Sequence, residues 1–283
     1  MNKSPLIEIM SDIHPFRSWR FDLAQVGDLS EVTAPPVELI SEDDVQQLYK
    51  LHPCNIIRLI KNRDEPGDSA NARFERANRY FRQWIQDGIL IREHENTIYV
   101  YRQTLPTDAD PIVVYGFVAC LPIEEIDGVA QAEVDEVQRG FMNSTRANFH
   151  PLLATFDDPN DAIQHQLKSS TIGITSFQLQ CDDGAVHELW PVTEHNAQQA
   201  IINLIRDQQL ELVRGEQALS LAKQYRDDLK EAGTFEQEPA SDRVMVFSIE
   251  NLALEQNAPA NVELADAIYA QCLSGLFINT FDV

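Results

Sequence analysis

The residues of this chain best suited to metal binding or nucleophilic catalysis are seven histidines (14, 52, 94, 150, 165, 187 and 195) and four cysteines (54, 120, 181 and 272). Their spacing organises neither chemistry. No two histidines stand one helical turn apart in an i, i+4 pair, and no His-x-Glu accompanies a cysteine pair. The closest two cysteines are 61 positions apart, which excludes a local thiolate zinc knuckle or redox pair. His187 and Glu188 fall on a strand-like segment, so their side chains face opposite ways. No metal site is expected, and the thiols read as buried and structural. Serine chemistry has no foothold either, because no Gly-x-Ser-x-Gly elbow occurs. The chain has 11 glycines, no two within ten residues of each other. A dinucleotide fingerprint or a P-loop needs clustered glycines to let the backbone approach phosphate, so both are absent.

Arginines recur at 73, 76, 79 and 82. Steps of three on a helix rotate by 300°, so these four spiral across the surface instead of lining up. The expected reading is a solvated helix face, with Arg76, Arg79 and Arg82 opposite the apolar side. The chain carries 22 Lys and Arg against 45 Asp and Glu, a formal charge of −23. Such a polyanion repels nucleic acid and anionic membrane surfaces, so neither is an expected partner. Residues 58–102, with nine basic and seven acidic side chains, are the one mildly basic region. The longest uninterrupted apolar run, 112–121, is half of what a membrane helix requires. The first fifteen residues hold no apolar core of the secretory type. The expectation is a reduced, cytoplasmic protein.

Those side chains must be positioned by elements that the pattern also reveals. A strand at 6–10 precedes an irregular stretch ending at Pro35 and Pro36. Ser41 and Asp44 have capping-box spacing for a short helix. Residues 55–60, four of them Ile or Leu, read as a buried strand. The clearest helix spans 70–87, with Phe74, Ala77, Tyr80, Phe81, Trp84 and Ile85 on one face and Gly88 as its left-handed cap. Strands follow at 89–92 and 97–103. Residues 104–111, rich in Pro and Asp, divide lobes 1–104 and 111–283. Beyond them strands are expected at 112–121, 151–156, 174–180, 185–190 and 244–249, with 182–184 turning a hairpin. Helices are expected at 132–143, 159–168, 194–207, 216–231 and 262–277. Asp158 with Pro159, and Thr193, serve as caps. The tract 236–242 reads as a loop. The fold class is therefore α+β, a mixed β-sheet flanked by helices, in a single domain over 1–283 that permits two lobes.

Several irregular-loop blocks carry a resemblance. His14-Pro15-Phe16-Arg17-Ser18-Trp19-Arg20-Phe21-Asp22, Val26-Gly27-Asp28-Leu29, and Ala34-Pro35-Pro36 open the series. Asn55-Ile56-Ile57-Arg58-Leu59-Ile60, Tyr99-Val100-Tyr101-Arg102-Gln103, and Gly116-Phe117-Val118-Ala119 continue it. Thr145-Arg146-Ala147-Asn148-Phe149-His150-Pro151 and His187-Glu188-Leu189-Trp190-Pro191-Val192 close it. In this order the chain resembles the uncharacterised prokaryotic family catalogued as domain of unknown function 1015, as a shortened and divergent member. Where the family shows a His-Glu pair, Ala132 replaces the histidine and Glu133 remains. The family's Asp-Gly-His-His-Arg signature falls on Arg214-Gly215-Glu216-Gln217-Ala218, of which only Gly215 survives. Losing His-His-Arg at a helix start removes cationic groups and adds a carboxylate, which opposes phosphate binding there.

The resemblance implies a non-catalytic ligand-binding or interaction protein, with a small molecule or a protein as its partner. Arg17, Trp19, Arg146 and Asn148 are the candidate cleft liners, because they are polar or amphipathic loop residues in family-like blocks. Their structural alternative is equally defined: Arg17 and Arg146 pair with carboxylates, and Trp19 fills the gap between lobes. The alternative function is an enzyme. In it Glu133 acts as base and Glu216 as a second carboxylate, holding a divalent metal through oxygen. The intact family signature is similar to the Gly-x-x-Arg box of ParB-like domains, which suggests a nucleotide-dependent small-molecule kinase as a further form of that alternative. The sequence names no cofactor.

Overall fold

The computed structural model describes residues 7–9, 11–107, 110–126, 133–181, 184–235, 239–250 and 274–281. In chain order the first lobe-sized stretch contains β1 (Ile7–Ile9), β2 (Trp19–Phe21), α1 (Leu23–Val26), α2 (Leu29–Val32), α3 (Glu42–Leu51), α4 (Ile57–Ile60), α5 (Ala72–Gln86), β3 (Leu90–Arg92) and β4 (Ile98–Leu105). There follow β5 (Ile112–Pro122), α6 (Glu136–Thr145), β6 (Ala147–Asn148), β7 (Leu152–Phe156), α7 (Ala162–Ser170), β8 (Phe177–Gln180) and β9 (Val186–Val192). The last elements are α8 (His195–Arg206), β10 (Leu210–Arg214), α9 (Glu216–Ala232), β11 (Arg243–Glu250) and β12 (Asn279–Thr280).

Eight strands form one mixed sheet in the order β1-β10-β7-β11-β5-β4-β9-β8, antiparallel throughout except where β7 runs parallel to β11. Side chains alternate across it, as a strand's two-residue period requires. Tyr99, Tyr101, Val118, Leu153, Met245 and Phe247 pack on one face, where α2, α3, α4, α5 and the β2–β3 ribbon cover them. Val100, Phe117, Leu152, Ala154, Val244 and Val246 pack on the other, beneath α7, α8 and α9. Helices on both faces of a mixed sheet make the α+β fold that the periodicity indicates. The expected divide at 104–111 begins inside β4, whose last residues Thr104 and Leu105 pair with Val113 and Ile112 of β5, its hydrogen-bonded neighbour. Among the described residues no helix is long and apolar enough to cross a membrane.

Local chemistry explains most boundaries. The Ser41 hydroxyl accepts from the Asp44 N–H while the Asp44 carboxylate accepts from the Ser41 N–H, a complete capping box. Gly88, φ +70°, follows α5 as expected. Other readings need correction. Residues 55–60 are not a strand: buried Asn55 accepts from the Ile57 N–H and donates to the Glu31 and Thr33 carbonyls, turning the chain into α4. A short apolar run has no period, and this one polar side chain decides it. Arg76 is not solvated but 7 % exposed, bonded to Asp68, Asn62 and the Arg63 carbonyl. The N-cap of α7 is Asp161; Asp158 instead accepts from the Gln164 N–H. Glu194, not Thr193, caps α8, accepting from Asn196 and Ala197. Residues 262–273 of the expected closing helix, and 182–183 of the expected hairpin turn, lie outside the described residues. Residues 274–277 are extended and turn-like, with Ser274 bridged to Ala34.

Candidate functional site

A cleft of about 380 Å³ opens where five elements meet. β2 contributes Trp19 and β3 contributes Arg92, which face each other across the antiparallel ribbon. The second half of α5 contributes Phe81, Arg82 and Ile85, the end of α6 contributes Thr145 and Arg146, and β12 contributes Thr280. The volume lies within the range of small-ligand sites. None of the described lining residues is acidic, although the chain as a whole carries −23. Three guanidinium groups on one apolar-backed wall suit an oxyanion.

Each arginine is placed by backbone that the sequence specifies. Arg92 stands on the same strand face as Leu90, which is buried, and this alternation turns the guanidinium inward. Its Cζ sits 6.0 Å from the Trp19 ring centre. Its Nε is sealed from solvent and has no hydrogen-bond partner. Burial, and then the positive charge of nearby Arg17, push Arg92 below the ordinary guanidinium range. Arg82 is oriented by Asn78 one turn earlier, whose amide oxygen accepts from its Nε at 3.1 Å. Arg146 ends α6 in the left-handed region, φ +52°, with its N–H donating to Met142 and its carbonyl accepting from Phe281. A non-glycine residue held there costs about 1–2 kcal/mol, and the reversal aims its side chain into the cleft.

The sequence candidates divide accordingly. Trp19 and Arg146 line the cleft, and exposed Arg17 stands beside it with its Nε donating to the Glu93 carbonyl. Asn148 follows Arg146 by two residues, yet its side chain is buried opposite Asn279, and its amide oxygen accepts from the His150 N–H. Glu133, Gly215 and Glu216 lie elsewhere. Glu133 is exposed ahead of α6, and Glu216 opens α9. Gly215 joins β10 to α9 at φ +107°, where a Cβ would come within 2.9 Å of Leu152. The fold itself therefore requires glycine there, whatever the neighbouring side chains.

A second cleft, about 620 Å³, receives Asp135 and Gln217, the near neighbours of Glu133 and Glu216, but neither glutamate lines it. Its cations meet its own carboxylates: Lys61 lies 3.9 Å from Glu42 and Arg73 lies 3.5 Å from Asp64. Among the described residues no three His, Cys, Asp or Glu side chains are grouped to hold a metal ion.

Arg82 and Arg92 are the charged lining residues that the sequence reading missed. Arg82 is exposed, as helical phase suggests, but at the lip of the cleft. For Arg92 a signal existed, since β3 alternation pairs it with Leu90. No curated protein and no solved structure matches the chain. A family model does match, over residues 13–255, a span that includes Trp19, Arg82, Arg92, Arg146 and Gly215. The chain belongs to that family, described as a protein of unknown function (DUF1015).

Proposed function

We propose that this protein is a non-catalytic ligand-binding protein that holds a small oxyanion, a phosphate or a carboxylate, in the cleft between Trp19 and Arg146. One observation carries the reading. Arg92 presents a buried guanidinium Nε without a partner, beside Arg82 and Arg146, on a wall whose described residues include no carboxylate. With one nitrogen sealed from water and no ion pair to a described carboxylate, the Arg92 guanidinium is stabilised when an anion accepts from the nitrogens it turns to the cleft. The larger cleft offers less: Arg73 there also has a buried Nε without a partner, but its guanidinium meets Asp64 and Lys61 meets Glu42, so its cations are already matched. Exposed large apolar side chains among the described residues (Leu39, Leu51, Val113 and Ile172) stand on four separate segments, which favours a small ligand over a protein partner. The net charge of −23 speaks against nucleic acid. The three described cysteines are free thiols, which supports a reducing, cytoplasmic setting.

The test is a thermal-shift panel on the purified protein. It contains inorganic phosphate, citrate, ATP with and without Mg²⁺, and a neutral sugar as control. A ligand at a hundredfold its Kd adds about 2.7 kcal/mol, readily visible in the melting midpoint. A shift with phosphate or citrate that vanishes in Arg92→Gln supports the proposal. A shift that requires ATP and Mg²⁺ together and survives Arg92→Gln replaces it with the enzyme reading.

A further inference from the structure

On the sheet edge formed by β9 and β8, three polar side chains are joined in a chain that the anion cleft does not use. The Tyr101 hydroxyl on β4 hydrogen-bonds to Nδ1 of His187 on β9, and Nε2 of His187 lies 3.4 Å from the Cys181 sulfur at the end of β8. His187 is fully buried and Tyr101 nearly so, while Cys181 is only half-buried. The thiol is thus the exposed end of a buried relay. Its position is fixed by the hairpin: the Cys181 N–H donates to Ala185, the Gly184 N–H donates back to Cys181, and Gly184 takes φ +87° to make this possible.

We propose that Cys181 is a nucleophilic thiol, activated by His187 and oriented through Tyr101, and that it is a modification site for small hydroperoxides. With its proton on Nδ1, donated to the Tyr101 oxygen, His187 offers the Nε2 lone pair to the thiol and takes the S–H proton. The sulfur attacks one peroxide oxygen, so an S–O bond forms and the O–O bond breaks. The departing oxygen collects the proton from Nε2 and leaves as water or an alcohol. Sulfur is oxidised by two electrons to the sulfenic acid, the peroxide is reduced by two, and the imidazole ends neutral.

The other described thiols lack this arrangement. Cys54 is pushed up by burial, and fully buried Cys120 is pushed up to about 12. Facing His187 on its own side of the sheet are Tyr101 and Gln103 of β4 and Leu179 of β8. The charged pair Arg102–Glu188 occupies the opposite face by strand alternation. Asp182 and Asp183 follow Cys181 in the sequence and lie outside the described residues.

The experiment is iodoacetamide labelling of the full chain across a pH series, read residue by residue by mass spectrometry. Dimedone trapping after hydrogen peroxide runs in parallel. Cys181 should label about tenfold faster than Cys54 at neutral pH and stay reactive at roughly pH 7, below the ordinary thiol range near 8.5. His187→Gln should slow Cys181 about tenfold and abolish its dimedone adduct. Should His187→Gln fail to fold by circular dichroism, Tyr101→Phe is read instead, and it should slow Cys181 while leaving Cys54 unchanged. A Cys181 rate that follows ordinary thiol titration and is indifferent to the readable variant overturns the proposal.

Discussion

Arg92 faces Trp19 across the β2–β3 ribbon with its guanidinium carbon 6.0 Å from the indole centre and its Nε buried without a hydrogen-bond partner. Most buried polar groups in proteins are satisfied, so an orphaned Nε on a residue that lines a cleft calls for an explanation. The pair links a folding element to a function, since the two-stranded ribbon that closes one face of the core also presents the charge.

Gly215 is held by the backbone rather than by chemistry. At φ +107°, with Leu152 2.9 Å from where a Cβ would stand, Gly215→Ala strains the β10–α9 junction and crowds β7. The expected loss is about 1–3 kcal/mol, measured by urea unfolding. An unchanged midpoint would show that the junction relaxes freely.

Acid stability should depend on Asp68. Hydrogen bonds from Arg76, followed by the Glu65 N–H, hold its carboxyl at about 2, well below its unfolded value. A depressed carboxyl contributes stability that is present above roughly pH 4 and is lost as pH falls towards 2. Asp68→Asn should lower the melting midpoint at neutral pH and flatten its decline in that window. Parallel curves for the two proteins would contradict the assignment.

His150 acts in a separate window. Burial lowers its imidazole to about 4, against an opposing pull from Glu38. Between about pH 6.5 and 4 the unfolded chain takes up a proton that the folded chain refuses, so stability falls as pH drops through that range. His150→Gln should remove this part of the pH dependence while leaving the lower window intact. Denaturant midpoints at several pH values check it, and coincident slopes would count against it.

The sheet interior leaves no room at Gly116. A Cβ there would lie 2.1 Å from the Ser248 carbonyl oxygen on β11, which is backbone and cannot swing away. Gly116→Ala is expected to cost about 1–3 kcal/mol, or to part β5 from β11. Hydrogen exchange of the β5 amides distinguishes it from a harmless change.

Local signals were readable wherever one side chain controls one backbone turn. Ser41 with Asp44, Gly88 after α5 and the β8–β9 alternation belong to this class. Residues 55–60 were not, because their apolar run suits strand or helix equally and Asn55 settles it through carbonyls more than twenty residues away. Arg76 was misplaced for a related reason: it was set opposite the apolar side although its helical phase lies beside Tyr80, at the edge of the buried arc, and Asp68 draws it in. The cleft was partly readable. Trp19 and Arg146 stand out as amphipathic loop residues, but nothing local tells that the ends of α5 and α6 meet the β2–β3 ribbon. That meeting is a property of the packed core.

The central claim is tested most directly by equilibrium titration with inorganic phosphate and with citrate. The proteins compared are wild type, Arg92→Gln in the cleft, and Arg206→Gln, an exposed control at the end of α8. Losing a charge-assisted contact of about 1.5–3 kcal/mol should weaken binding roughly ten- to a hundredfold in Arg92→Gln and leave Arg206→Gln close to wild type. Equal affinities in all three proteins, or no binding of either anion by wild type, would contradict an oxyanion site at Trp19 and Arg92.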